Sequence, residues 1–270
     1  MVRIQKWLFI LHFDPFKFIL EFRDYCSNLL NVHIPLETNV RSMSLRESPA
    51  AKRNRVPIGE ALSKFLTTAN ARLLEIASGC GTHTMYLSEK FPQIEFQPSD
   101  FQDDAIESIQ AHLKATPRSN VQSPLKIDGK LHNTDSLPKY MFYEIIVISI
   151  TVCDPYDRWR LPHENYDFLF NANMVHISPW KCTESLFANA GVVLKKGGIL
   201  FMYGPFAING VLEPRSNQEF DKTLKMNNPQ WGIRDLNELE VEASRSQLVL
   251  LEVMDLPANN KILVFTLNDQ

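Results

Sequence analysis

The residues best suited to chemistry lie in a glycine-containing segment at positions 73–83, which reads Leu-Leu-Glu-Ile-Ala-Ser-Gly-Cys-Gly-Thr-His. Gly79 and Gly81 let the backbone approach a ligand closely, because glycine has no Cβ. The segment leaves a predicted strand and enters a predicted helix. In open α/β sheets, ligands bind at the carboxyl ends of such strands. We therefore expect a ligand-binding loop here.

The spacing of the glycines separates this loop from two phosphate-binding loops. A dinucleotide-binding loop follows G-x-G-x-x-G, and Thr84 stands where the third glycine would be. A P-loop requires Gly-Lys-Ser/Thr, which is absent from the segment. Glu75 would repel a pyrophosphate but suits a cationic ligand. A nicotinamide-dependent oxidoreductase is an alternative function for this fold, but it would require the third glycine, which Thr84 replaces.

Two aspartates end the neighbouring predicted strands. Asp100 follows the glycines by about 20 residues, where an acidic side chain accepts hydrogen bonds from ribose hydroxyls. The alternative is that Asp100 caps the helix that starts at Phe101, although Ser99 would also serve as a cap. Asp128 ends the third predicted strand and is expected to contact the edge of an adenine, or otherwise to shape a turn.

An Asn-Ala-Asn-Met-Val-His segment follows the fourth predicted strand. Asn173 would accept hydrogen bonds from a substrate amine and orient it for reaction, and His176 has a pKa range suited to removing a proton. The alternative is that these side chains form turns and packing contacts. His83 either covers the cofactor or only occupies the first turn of a helix. Further candidates for substrate contacts are Trp180, Tyr203, Asn209, Asn217 and Arg234.

Short apolar runs alternate with amphipathic stretches through most of the chain. The predicted strands are 72–77, 94–98, 124–128, 166–171, 198–203, 248–254 and 261–267. Helical patterns cover 57–67, 101–114 and 183–195, and Gly197 and Gly198 are expected to close the last helix. The alternation predicts an α/β fold with a seven-stranded, mostly parallel, doubly wound sheet. The short connection 255–260 predicts an antiparallel last strand.

Composition and charge narrow the function classes. The net charge of −3 gives no global basic field, so nucleic-acid and membrane partners are not expected, and the charge favours a small molecule or a protein as the substrate. The apolar run 140–153 is too short for a membrane-spanning helix, which needs ~20 residues. The four cysteines are scattered without a C-x-x-C pair, so neither a metal site nor a disulfide framework is indicated. We expect an intracellular, cytoplasmic protein.

Several segments resemble the small methyltransferase-like family that includes methyltransferase-like protein 26. They lie within residues 53–267 and include 75–83, 97–100, 171–179 and 231–235. The resemblance implies a class I, Rossmann-like methyltransferase with S-adenosyl-L-methionine as cofactor and an unidentified acceptor. The alternative is a non-catalytic protein that keeps this fold as a binding module or scaffold. The residues expected to bind the cofactor are Glu75, Ala77, Gly79, Gly81, His83, Asp100 and Asp128, and those expected to act on the substrate are Asn173 and His176.

Two stretches depart from that resemblance. Residues 1–42 are expected to be an extra N-terminal segment before a methyltransferase-like domain at 43–270. Residues 129–151 interrupt the passage from Asp128 to Val152, and we interpret them as a retained intron or a misplaced exon boundary. The alternative is a genuine loop insertion, which costs little entropy, although the apolar run 145–150 would be an aggregation hazard. Because the insertion adjoins Asp128, a defective isoform is a further alternative.

Overall fold

A seven-stranded sheet forms the centre of the computed structural model, which describes residues 45–127, 159–163 and 165–268. The described residues form nine strands, which are in chain order β1 (Arg72–Ile76), β2 (Glu95–Asp100), β3 (Leu125–Lys126), β4 (Tyr166–Ala172), β5 (Leu194–Gly204), β6 (Phe206–Ala207), β7 (Arg234–Asp235), β8 (Leu248–Leu256) and β9 (Asn260–Leu267). The large sheet has the order β3-β2-β1-β4-β5-β9-β8. Strands β6 and β7 pair separately.

Helices cover the sheet. They are α1 (Pro49–Leu62), α2 (Thr82–Lys90), α3 (Asp103–Ala115), α4 (Trp180–Val193), α5 (Arg215–Asn227) and α6 (Leu236–Arg245). Short 3-10 turns lie at Val175–Ile177 and Pro257–Asn259. The start of α1 follows from its sequence, because the Ser48 side chain accepts a hydrogen bond from the Ala51 N–H and Pro49 occupies the first turn.

Both faces of the sheet are buried. Leu74 of β1 and Leu200 of β5 belong to one hydrophobic cluster, whereas their neighbours Leu73 and Phe201 belong to another. Successive side chains of a strand point to opposite faces, so two clusters mean that both faces are covered. This burial explains why the strands read as continuous apolar runs.

The pairing of the strands confirms the predicted fold class. β1 pairs in parallel with β2 and β4, and β5 pairs in parallel with β4. Only β9 breaks this pattern in the large sheet, because it lies antiparallel to both β5 and β8. The connection from β8 to β9 is the 3-10 turn Pro257–Asn259, too short for the crossover that a parallel pair would need.

Two predicted helix boundaries are wrong. Helix α1 begins at Pro49 and not at 57, because the cap at Ser48 starts it earlier. Helix α4 ends at Val193, before Gly197 and Gly198, and Leu194 already pairs with Tyr166 in the sheet. The two glycines lie in an irregular part of β5, where a Cβ on Gly198 would be only 2.7 Å from the Lys195 carbonyl oxygen.

The predictions for residues 1–42 and 129–151 lie outside the described residues, as does Asp128. Within the described ranges, no helix has the length and apolar character that crossing a membrane would require.

Candidate functional site

A cavity of about 350 Å³ lies at the carboxyl ends of β1, β2 and β4. Its wall includes the loop after β1, the end of β2 at Asp100 and the end of β4 at Ala172. The strand order reverses between β1 and β4, so this is the topological switch point of the sheet. Ligands of doubly wound sheets bind at that point, and the volume lies within the usual range for small-molecule sites.

The loop after β1 is built from residues with positive φ. Ala77, Gly79 and Gly81 have φ of 57°, 55° and 82°. A Cβ on Gly79 would meet no other heavy atom within 4 Å, whereas a Cβ on Gly81 would lie 2.9 Å from Ile109 Cγ1 of α3. The two glycines therefore serve different purposes. Gly79 keeps the cavity open beside the backbone, and Gly81 lets α3 pack closely against the loop.

Asp100 joins the end of β2 to this loop. Its Oδ2 accepts a hydrogen bond from the Gly79 N–H at 2.8 Å, and its Oδ1 accepts one from the Gln102 N–H at 3.0 Å. Burial raises the pKa of Asp100, although these backbone N–H groups oppose the rise. Each carboxylate oxygen has a second lone pair, so the group can still accept hydrogen bonds from a ligand.

Neither predicted cap forms at the start of α3. Gln102 is the N-cap residue and makes no side-chain capping bond. The Ser99 hydroxyl donates to the Glu75 carbonyl at 2.7 Å, so it joins β2 to β1 instead.

Glu75 lies behind the loop and not among the residues that line the cavity. It is almost fully buried, and a hydrogen bond joins its Oε2 to the Thr84 hydroxyl. Burial raises the pKa of Glu75 to about 8, so the carboxyl is mainly protonated at pH 7. From the sequence we expected a charged carboxylate beside a cationic ligand, whereas burial makes the Glu75 carboxyl mainly neutral in the free protein.

His83 connects Glu75 to the cavity. Its side chain belongs to the cavity wall, and its Nδ1 lies 3.9 Å from Glu75 Oε1. Burial lowers the pKa of His83 to about 4, so the imidazole is neutral at pH 7. Its ring packs edge-on against Phe170, and its buried Nε2 has no hydrogen-bond partner within the described ranges.

The structure separates the two residues predicted to act on the substrate. Asn173 lines the cavity with a φ of 57°, and its N–H donates to the Tyr203 carbonyl at 2.8 Å. His176 lies in the 3-10 turn after β4, is 3% exposed and is not part of the cavity wall. Its ring packs against Phe220, and burial lowers the pKa of His176 to about 4. Such an imidazole is a weak proton acceptor at neutral pH.

Two of the predicted substrate residues meet at a second cavity. The Arg234 guanidinium lies 5.7 Å from the centre of the Trp180 ring, and both side chains line this cavity together with residues of α6. Arg234 also donates hydrogen bonds to the carbonyl oxygens of Val175 and Ser178. It therefore fixes the chain that follows β4.

The other three residues predicted to contact the substrate, Tyr203, Asn209 and Asn217, do not line either cavity. Tyr203 is buried in the hydrophobic cluster that includes Phe201. Asn209 is exposed in a turn with a φ of 53°. Asn217 is buried in α5 and donates to the carbonyl oxygen of Glu213.

The cavity also includes residues that the sequence interpretation missed. Ser48 and Ala51 at the start of α1 contribute to its wall, as do Ser178 and Cys182. The Ser48-Pro49 pair is a helix-start signal that predicts the beginning of α1, but it does not predict that this end of the helix lies at the cavity. Cys182 is disulfide-bonded, which the spacing of the cysteines did not indicate.

The described residues fit an adenosine-type cofactor. Asp100 has free lone pairs beside the open space at Gly79, and three buried polar atoms in wall residues lack a partner in the described part of the chain: Thr82 Oγ1, His83 Nε2 and Ser178 Oγ. A bound ligand with hydroxyl, amino and carboxylate groups would satisfy such atoms. Metal binding has no comparable support, since no cluster of three or more His, Cys, Asp or Glu forms in the described ranges.

Comparison with solved structures shows the same architecture in methyltransferases. An O-methyltransferase family protein from Burkholderia thailandensis has a TM-score of 0.59 and 12% identity, over 93% of this chain and 70% of that one. The S-adenosylmethionine-dependent methyltransferase SibL has a TM-score of 0.58 and 12% identity, over 81% of this chain. PigF with SAH has a TM-score of 0.59 and 12% identity, over 80% of this chain. The chain spans 56% of the length of both SibL and PigF.

A family model matches residues 45–267, which is almost all of the described region. The chain therefore belongs to the family described as protein of unknown function (DUF938), and its fold is that of S-adenosylmethionine-dependent methyltransferases.

Proposed function

We propose that this protein is an S-adenosyl-L-methionine-dependent methyltransferase that acts on a small molecule or a protein. The observation that carries the proposal is the cavity at the switch point, where the Asp100 carboxylate is bonded to the Gly79 N–H. An acidic group at this place accepts hydrogen bonds from ribose hydroxyls. The fold shared with methyltransferases supports the same conclusion.

Several side chains would hold the cofactor, which supplies an electrophilic methyl group when bound. Asp100 would accept hydrogen bonds from the ribose, and Gly79 would let the backbone approach the ligand. His83 and Thr82 offer buried polar atoms without partners in the described ranges. We also propose that Asp128 contacts the adenine. The proposal includes membership of this protein in the family of methyltransferase-like protein 26.

Asn173 is the residue that we propose for positioning the acceptor. It lies in the cavity wall, and its backbone is fixed by the hydrogen bond to Tyr203. A side-chain amide held in this way would orient an attacking group toward the methyl, and orientation accounts for much of the rate in such displacements. The net charge of −3 favours a small molecule or a protein over bulk nucleic acid as the acceptor.

Titration calorimetry with S-adenosylmethionine and S-adenosylhomocysteine tests the proposal. We expect micromolar binding to the full chain, lost in Asp100→Ala and kept in the control Asp255→Ala. Asp255 is also a carboxylate, but it is exposed at the end of β8 and pairs with Lys261. The absence of binding both to the full chain and to a version without residues 129–151 would refute the proposal. Equal loss of affinity in both aspartate variants would refute the role of Asp100.

A further inference from the structure

The cavity wall differs in charge between its β2 side and its α4 side. Among the described wall residues, Asp100 at the end of β2 is the one acidic side chain. The α4 side consists of the wall residues Ile177, Ser178 and Cys182, which lie in the segment after β4 and in the first turn of α4. Strand β1 separates β2 from β4 in the sheet, so the ends of β2 and β4 are about 10 Å apart. A ligand group on the α4 side therefore lies away from the Asp100 carboxylate.

Ser178 is a buried residue of the α4 side whose hydroxyl has no partner. The residue is 4% exposed, and its Oγ makes no hydrogen bond in the described part of the chain. Thr82 and His83 also carry buried atoms without partners, but these two residues lie at the start of α2, next to the glycine loop. A hydroxyl can donate one hydrogen bond, and leaving it unpaired in a buried position costs free energy. An acceptor atom of a ligand would remove that cost.

The first turn of α4 gives the α4 side a partial positive charge. Helix α4 follows its N-cap residue Pro179, and no side chain caps it. The first N–H groups of a helix have no partner within the helix, and the helix dipole makes this end electropositive. Ser178 and Cys182 lie on either side of the helix start and both line the cavity. The cavity therefore borders an uncapped helix N-terminus, where anionic groups bind favourably.

Arg234 adds a full positive charge behind this turn. Its Nη2 donates a hydrogen bond to the Ser178 carbonyl oxygen at 2.6 Å, although Arg234 itself does not line this cavity. Burial and, to a smaller extent, the charge of Arg234 lower the pKa of His176, so this charge acts within the segment after β4. Glu238 and Asp221 also face Arg234 and offset part of its charge. Both acidic residues lie outside the wall of the cavity.

We propose that the α4 side of the cavity binds a carboxylate group of the methyl acceptor, with the Ser178 hydroxyl and the first N–H groups of α4 as hydrogen-bond donors. The inference rests on the proposed function and names the substrate class, which is an ionised carboxylic acid. A carboxylate fits better than a phosphate, because none of the described wall residues is a lysine or an arginine that could pair with a dianion. Asn173 belongs to the same wall, so an acceptor anchored in this way would lie beside the residue proposed to orient it.

Ligand-observed NMR titrations on the wild-type protein saturated with S-adenosylhomocysteine test the inference. The bound product occupies the donor site and leaves the acceptor side for the probe. The probes are benzoate and acetate, each compared with its neutral amide, benzamide or acetamide. We expect each carboxylate to bind about tenfold more tightly than its amide, because the helix N-terminus and a hydrogen bond to a charged group both favour the anion. Equal affinity within both pairs would overturn the inference. Phenyl phosphate should bind more weakly than benzoate, and tighter binding would overturn the assignment to carboxylates.

The variant Ser178→Ala tests the residue, with Ser88→Ala as its matched control. Ser88 is also a buried serine, at 2% exposure, but it lies in α2, donates to the Met85 carbonyl oxygen and does not line the cavity. We expect Ser178→Ala to weaken benzoate at least about tenfold and benzamide less than about fivefold, since a hydrogen bond to a charged group is the stronger one. The affinity for S-adenosylhomocysteine should not change, and Ser88→Ala should bind every probe with wild-type affinity.

Two results with Ser178→Ala would overturn the inference. Equal weakening of benzoate and benzamide would mean that Ser178 only supports the structure. A tenfold loss of affinity for S-adenosylhomocysteine would mean that Ser178 binds the carboxylate of the cofactor and not that of the acceptor.

The comparison of carboxylates with amides uses the wild type alone, so it remains valid if Ser178→Ala does not fold. Binding of S-adenosylhomocysteine to the wild type without a preference for carboxylates would overturn the inference and leave the proposed function intact. Failure of the wild type to bind S-adenosylhomocysteine would refute the proposed function, and the inference with it.

Discussion

Gly79→Ala would separate the role of the glycine loop in ligand binding from its role in stability. Gly79 has a φ of 55°, and a Cβ there would project into open space beside Asp100. Gly197 in β5 has a φ of 70° and equally open surroundings, but it does not line the cavity. Gly197→Ala is therefore a matched control for the backbone effect.

The expected cost to folding is similar for the two variants. A non-glycine residue in the left-handed region costs about 1–2 kcal/mol. For a domain of this size, about 1 kcal/mol lowers the melting temperature by about 2–4 °C. Each alanine should therefore lower the melting temperature by about 2–8 °C, as measured by calorimetry or differential scanning fluorimetry.

The expected cost to binding differs. At Gly79 the added methyl group would occupy space needed by the ligand, and overpacking of this kind costs about 1–3 kcal/mol. That cost corresponds to an affinity for S-adenosylhomocysteine that is about 5- to 150-fold lower. Gly197→Ala should bind with wild-type affinity. If both variants bound the ligand equally well, the assignment of Gly79 to the ligand surface would be wrong.

Three further predictions concern stability. Gly81→Ala should destabilise the fold more than Gly79→Ala in chemical denaturation, because its Cβ would lie 2.9 Å from Ile109 in addition to having a φ of 82°. The pKa of Glu75 is raised to about 8 on folding, so the folded state binds the extra proton and stability falls as pH rises from about 4.5 to 8; Glu75→Gln should flatten this fall in melting temperature. The pKa of His176 is lowered to about 4, so stability falls as pH drops from about 6.5 to 4, and His176→Gln should retain more of its neutral-pH melting temperature at pH 4.5 than the wild type does.

The sequence predicted the sheet well because its strands are buried on both faces and read as apolar runs. The antiparallel β9 was predictable for a similar reason, since the connection before it is too short for a crossover. The end of α4 was not predictable from Gly197 and Gly198. Those glycines lie in an irregular part of β5, where its pairing with β4 shifts register between Tyr166 and Phe168. Such a shift depends on the neighbouring strand and is not visible in the local sequence.

The loop after β1 was predictable as part of the candidate site, whereas the residues that form the rest of the cavity wall were less so. Gly79 and Asp100 follow the pattern of a ligand-binding strand end, and the structure brings them within hydrogen-bond distance. Glu75 and His176 lie outside the cavity wall. The spacing of residues along the chain does not determine which side chains line a cavity, so this result was not predictable. Ser48 and Ala51 come from a helix distant in sequence, so only the tertiary fold brings them to the cavity.

The position of β9 has a consequence for synthesis of the protein. β9 is the last of the described strands in the chain, yet it lies between β5 and β8 in the interior of the sheet. Until it emerges from the ribosome, β5 has an unpaired edge with buried residues such as Phe201 and Met202 beside it. Exposed edges of this kind invite pairing with other chains. The nascent protein should therefore depend on chaperones until β9 is translated, and premature termination before Asn260 should give aggregates instead of a shortened folded protein.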